Sequence, residues 1–83
     1  MWFVYILLCQ DRSLYTGIAK NPHQRFLEHK EGKGGKYTRS HAPLKIVYSE
    51  KCTTKSEALR RELAIKKWRR ATKVLKLDIK LTR

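Results

Sequence analysis

Trp2-Phe3-Val4-Tyr5-Ile6-Leu7-Leu8-Cys9, then Gln10-Asp11-Arg12-Ser13, then Leu14-Tyr15-Thr16-Gly17-Ile18, decide how this chain reads. The first run is aromatic and aliphatic without alternation, which is the pattern of a central strand covered on both faces. A polar turn follows, and Leu14 to Ile18 reads as a second strand hairpin-paired with the first. Tyr5 and Tyr15 thus stand ten residues apart on neighbouring strands. Gly17 in the second strand permits a close approach or a bend.

Outward from this hairpin, Asn21-Pro22 opens a helix. Asn is the N-cap, Pro takes the first helical position, and Gln24 follows three residues after the cap. The helix is expected to end near Gly32, with Arg25 and His29 at i and i+4 on one face. Residues 31–43 form a glycine-rich basic loop, and Leu44 to Ser49 reads as a third strand. Thr54-x-x-Glu57 is a capping box for a second helix running to about Arg70, with Ala58, Leu59, Leu63 and Ile65 inward. Beyond it, Leu75, Leu77, Ile79 and Leu81 alternate as in a strand, while Val74, Leu77 and Leu81 suit a helix. The pattern leaves residues 72–83 open between the two.

The 83 residues make one small domain, and 41% hydrophobic content supports a modest core. Net charge is +13 and the sequence pI about 10.2. That balance points to a nucleic acid or an anionic membrane face as partner. Residues 60–83 hold ten basic and two acidic side chains, and residues 18–45 hold seven and two, so the positive surface covers much of the fold. The longest apolar run, Trp2 to Cys9, is too short to span a bilayer and lacks a signal peptide's flanks. Cys9 and Cys52 form no C-x-x-C pair, which argues against a disulfide scaffold or zinc knuckle. Two buried thiols in a cytoplasmic protein are expected instead.

Glu62 is the residue out of place. At ~100° per residue it points into the apolar stripe of its helix, where a carboxylate is desolvated unless a cation meets it. Either Lys66 at i+4 pairs with it, or a divalent metal does. The two are compatible if Lys66 contacts substrate. A single carboxylate leaves most Mg²⁺ (or Mn²⁺) ligands to water and substrate phosphate, so the ion would bind weakly without nucleic acid. Arg25 offers a planar fork suited to phosphate, or is simply a solvated helix residue. His29 can accept a proton from water at neutral pH, or only hydrogen-bond. Tyr5 and Tyr15 are core tyrosines or a general base. A free phenol titrates near 10, so only ~0.1% is phenolate at pH 7, and neighbouring cations would have to lower that value. Gly32-Lys33-Gly34-Gly35-Lys36 fails the phosphate-loop pattern for want of a Ser or Thr at the required spacing, and reads as a cationic loop tracking a backbone. The candidate nucleic-acid contacts are Lys20, Lys33, Lys36, Tyr37, Arg39, Lys66 and Lys67.

These residues together resemble the GIY-YIG nuclease superfamily over Trp2 to about Arg70, with the tail 71–83 outside the motifs. Val4-Tyr5 stands at that family's Ile-Tyr, and Tyr15-Thr16-Gly17 at its Tyr-Ile-Gly. Arg25 stands at its catalytic arginine, His29 at a helix histidine, and Ala58-Leu59-x-x-Glu62 at its metal-binding glutamate. The chain is most similar to the small single-domain UPF0213 type, and also to the N-terminal nuclease module of the excision-repair protein UvrC. Phe3 departs from the family's leading glycine, Thr16 from its isoleucine, Ile18 from a lysine of some members, and Val74 from an asparagine. The resemblance implies an α+β fold with a three-stranded antiparallel sheet flanked by helices. It also implies metal-dependent cleavage of DNA, RNA not being excluded, to 5′-phosphate and 3′-hydroxyl ends. Tyr5 or Tyr15, with His29, would activate water, Arg25 steady the phosphate, and Glu62 hold Mg²⁺. Its expected role is a structure-selective endonuclease linked to repair or recombination, targeted by a partner protein. The alternatives are a non-catalytic nucleic-acid-binding module on the same fold and a ribosome-associated basic protein.

Overall fold

The hairpin reading holds in the computed structural model, which describes residues 1–33 and 40–81. The expectations for Lys36, Tyr37 and Arg39 lie outside the described residues. Strand β1 (Trp2–Cys9) is buried without interruption from Val4 to Cys9. It is central because both neighbours pair with it: β2 (Leu14–Ala19) on one side and β3 (Pro43–Cys52) on the other, both antiparallel, in the order β2-β1-β3. The third strand is longer than its β-branched segment at both ends. The ladder to β1 continues past it, with Trp2 opposite Cys52 and Cys9 opposite Pro43.

Alternation along β1 divides the core between the two sheet faces. Tyr5 and Leu7 pack with Ala19, Phe26 and Ile46 on one face. Val4 and Ile6 pack with Cys52, Ala58, Ile65 and Ile79 on the other. Helix α1 (Pro22–Lys30) covers the first face. The Asn21 Oδ1 atom accepts from Gln24 N–H at 3.1 Å, as a cap residue should. Its C-terminus closes with Gly32 N–H donating to His29 C=O and Lys33 N–H to Glu28 C=O, with Gly32 at φ +82°. This is a Schellman ending, which selects glycine at the left-handed position.

Helix α2 (Lys55–Lys66) covers the second face. Thr54 Oγ1 accepts from Glu57 N–H at 3.1 Å, while the Glu57 carboxylate reaches back to Thr53 N–H at 2.9 Å. Two expectations are corrected here. The helix stops at Lys66 rather than near Arg70, because Lys67 and Trp68 N–H groups turn to the carbonyls three residues back and Arg69 is extended. That turn lets Trp68 pack on the core. The inward stripe is Ala58 and Ile65, both 0% exposed, whereas Leu59 and Leu63 are 41% and 60% exposed. Ala58 and Ile65 nearly coincide in azimuth, and Leu59 and Leu63 lie roughly 100–160° away from them.

The open tail resolves as helix α3 (Arg70–Lys76), followed by irregular chain through Leu81. A strand would place Leu75 with Leu77, Ile79 and Leu81 on one face. Instead Leu75 is 83% exposed while Ile79 is buried and Leu77 and Leu81 pack on the core. Cys9 and Cys52 are buried free thiols. No described helix is long and apolar enough to cross a membrane.

Candidate active site

Tyr5 lies directly opposite Gly17 in the β1–β2 ladder, with its ring on the α1 face. The phenol crosses over Gly17. A Cβ built there would stand 2.8 Å from the Tyr5 hydroxyl oxygen, 2.9 Å from Tyr5 Cζ and 3.1 Å from Tyr15 Cε2. Gly17 therefore admits a side chain, not a second backbone. The hydroxyl sits 2.9 Å from His29 Nε2, and both residues are 1% exposed. Tyr15, two positions before Gly17, is only half-buried. Its ring meets His29 edge-on at 5.1 Å and Tyr5 at 6.4 Å between centroids. Arg25, one turn before His29, donates from Nη1 to Glu28 Oε1 at 2.8 Å.

The electrostatics separate these groups. Burial pushes the Tyr5 phenol well above its ordinary pKa, and Tyr15 and Glu62 add to the rise while Arg25 opposes it. Burial, and then the Arg25 charge, hold the His29 imidazole below its usual value. At neutral pH both partners are uncharged, and one proton serves the hydrogen bond between them. Arg25 is held above its ordinary value, chiefly by the bond to Glu28.

Glu62 stands on the helix over the opposite face, with its side chain 14% exposed. Its carboxylate meets Lys66 Nζ at 3.2 Å, yet its charge still reaches the Tyr5 phenol. Among the described residues no three metal-ligating side chains cluster. A lone, part-buried carboxylate fits a hard cation that keeps most of its waters and takes other oxygens from phosphate. It does not fit a cage built by protein alone.

Tyr5, Tyr15, Gly17, Arg25 and His29 are brought together, with Glu62 within electrostatic reach. The candidate nucleic-acid lysines are dispersed. Lys20 follows β2 beside Trp2, Lys33 pairs with Glu31 at 3.6 Å, Lys66 is on Glu62, and Lys67 caps α2. Sequence reasoning missed Lys73. Its buried Nζ approaches Thr16 Oγ1 at 3.4 Å, behind the Tyr15-Thr16-Gly17 segment. The signal was hidden because Lys73 belongs to the tail whose conformation the pattern left open. Glu28 was legible at i+3 from Arg25.

A family model described as the GIY-YIG catalytic domain matches residues 1–75. The chain belongs to the GIY-YIG family. A UPF0213 protein of Staphylococcus epidermidis is 53% identical over 72 residues, covering 87% of this chain and 88% of that protein. One from Staphylococcus aureus is 50% identical over the same shares of the two chains. The solution structure of a UPF0213 protein from Bacillus halodurans superposes with a TM-score of 0.59 at 38% identity, covering 94% of this chain and 84% of that one. The α+β architecture, a three-stranded antiparallel sheet with helices on both faces, agrees with that neighbour. Membership in this family makes a nuclease fold, with nucleic acid as substrate, the coarse reading of the chain.

Proposed function

We propose that this GIY-YIG domain is a divalent-metal-dependent DNA endonuclease, structure-selective and acting in DNA repair or recombination in the cytoplasm. The observation that carries the reading is the packing of the Tyr5 phenol over Gly17 and onto His29, beside Tyr15 and Arg25. A buried phenol needs a hydrogen-bond partner in any fold; here that partner is an imidazole, with a second phenol against the same ring.

The two phenols take different roles. Tyr5 is 1% exposed, bound to His29 and held protonated by burial, so it fixes the floor of the site. Tyr15 reaches the surface against the His29 ring and, in its phenolate form, takes the proton from water. The water oxygen attacks phosphorus, the P–O3′ bond breaks, and the 3′ oxygen leaves and takes up a proton from solvent. Arg25 binds the non-bridging phosphate oxygens. Glu62 would hold Mg²⁺ or Mn²⁺, weakly. When bound, the ion supplies positive charge at the leaving oxygen. Lys66 passes from Glu62 to a substrate phosphate, and Lys20, Lys33, Lys36, Tyr37, Arg39 and Lys67 contribute to the basic surface.

The test is cleavage of flaps, forks, nicked duplexes and single strands with Mg²⁺ or Mn²⁺, beside Glu62→Gln and Arg25→Ala. Cleavage is expected to vanish in both variants while binding persists. Cleavage surviving Glu62→Gln would overturn the metal role. Tight binding with no cleavage of any substrate would favour a non-catalytic binding module.

A further inference from the structure

Trp2 opens β1, half-buried against the core on the α2 face, three residues before Tyr5. Two ammonium groups stand over its indole, Lys20 Nζ at 5.5 Å and Lys55 Nζ at 5.3 Å from the ring centroid. They arrive from the end of β2 and the start of α2, so three elements converge on one ring. Neither lysine has a carboxylate within ion-pair distance among the described residues.

Trp68 offers an internal comparison. Arg61 and Lys76 stand 5.5 and 5.0 Å from its centroid. There, however, Arg61 Nε bonds both Glu50 oxygens, at 3.1 and 3.0 Å, so that cation is neutralised inside the fold. At Trp2 both charges are exposed and unneutralised. An exposed cation over a half-buried ring is held weakly. A phosphate can draw each ammonium aside and leave the indole to a base.

We propose that Trp2, Lys20 and Lys55 form a stacking platform for one base of a single-stranded DNA segment, with the two lysines on its flanking phosphates. The proposal rests on the nuclease reading for DNA as the ligand, and adds that an unpaired strand is held beside the cut. Only an unpaired base can bring a free face to the indole. Lys20 lies three residues beyond Gly17, one past the end of β2, so at most ~10 Å away at strand rise. That is roughly three base steps of a stacked strand at 3.4 Å each.

The experiment uses the Trp68→Phe/Glu62→Gln protein, in which Trp2 is the sole tryptophan of the original two. It is titrated with oligo(dT) and with duplex of equal phosphate number. Oligo(dT) is expected to quench Trp2 fluorescence, and duplex to quench it little. Adding Trp2→Ala should weaken oligo(dT) binding roughly 5- to 150-fold, the range for losing one base stack, with duplex binding within about twofold. If Trp2→Ala does not fold, Trp2→Leu decides: it keeps the apolar packing and should lose the same single-strand affinity, read by filter binding of labelled oligo(dT) because neither variant retains a tryptophan. Lys20→Met/Lys55→Met should reduce the log–log salt slope for single strands by about 1.4. No quenching by oligo(dT), equal losses for both DNAs, or an unchanged slope would overturn the platform. Quenching is read without turnover, so absent cleavage elsewhere leaves this result standing.

Discussion

Gly17→Ala tests whether the site is built as described, because the added methyl has nowhere to go. Its carbon would lie 2.8 Å from the Tyr5 hydroxyl and 2.9 Å from Cζ, against the ~3.5–4.0 Å of ordinary carbon contact. The Tyr5 ring must therefore retreat by about 0.6 Å. It is 1% exposed and tied to His29 at 2.9 Å, so the retreat stretches that bond or displaces α1. Overpacking of this kind costs ~1–3 kcal/mol, and alanine in a strand interior returns ~0.5–1 kcal/mol relative to glycine. The net is a loss of about 1 kcal/mol, or a Tm lower by about 4–8 °C for a domain this size. Cleavage should fall more steeply, up to ~10²-fold, because catalytic geometry tolerates displacement poorly. The assay is urea denaturation of wild type, Gly17→Ala, Tyr5→Leu and the double variant, with the His29 ring resonances followed by NMR. In the Tyr5→Leu background the methyl no longer meets the Tyr5 phenol and only the half-buried Tyr15 ring, at 3.1 Å, must give, so Gly17→Ala should cost clearly less than in wild type. A Gly17→Ala cost that is the same in both backgrounds, or unmoved His29 resonances, would refute the reasoning.

Lys66→Met should free the Glu62 carboxylate and tighten Mn²⁺ binding, read by EPR without DNA. A part-exposed ion pair is worth ~0.2–1 kcal/mol, so the gain is at most about fivefold, and weaker binding would remove Glu62 from the metal site. Stability should fall as pH drops from ~6.5 towards 5. The folded His29 value is depressed, so the unfolded chain takes up the proton first, and stability present above that pH is lost as pH falls through the folded value. Urea midpoints for wild type and His29→Gln check this, the variant showing the flatter profile. Lys73→Met should raise Tm, with a gain on the order of 1 kcal/mol. Burial disfavours its ammonium, Lys66 repels it, and the Thr16 hydroxyl stands at 3.4 Å. A lower Tm would mean that this contact supports the fold.

What could be read from sequence was what local chemistry decides. The central strand, the Asn21 and Thr54 caps and the glycine ending of α1 depend on neighbours in the chain, and each stands as expected. The end of α2 was not legible, because it is set by Trp68 turning to a core assembled from distant residues. Leu59 and Leu63 misled for the same reason. Their helix meets the sheet through a stripe only as wide as Ala58 and Ile65. The site was legible as a set of residue types. The difference between Tyr5 and Tyr15 was not, since the depth of each phenol depends on where α1 settles.

The candidate site also divides across the sheet. Tyr5, Tyr15, Arg25 and His29 belong to the α1 face, whereas Glu62, Lys66 and Lys73 belong to helices on the other. Between them runs β2, an edge strand that pairs only with β1 among the described residues. Its alternation places Tyr15 and Gly17 towards one set and Thr16 towards the other. An exposed strand edge is a hazard for aggregation, and proteins keep such edges charged or covered. Here the edge leads into Lys20, and Lys73 reaches it at Thr16. On the proposed reading, a nucleic-acid strand lying along β2 would meet the phenols from one side and the Glu62 cation from the other. That arrangement would account for the proposed metal site having a single protein carboxylate, because its remaining oxygens would come with the substrate. It also accounts for Gly17 at the crossing point, where any larger residue would push the Tyr5 phenol away from the edge.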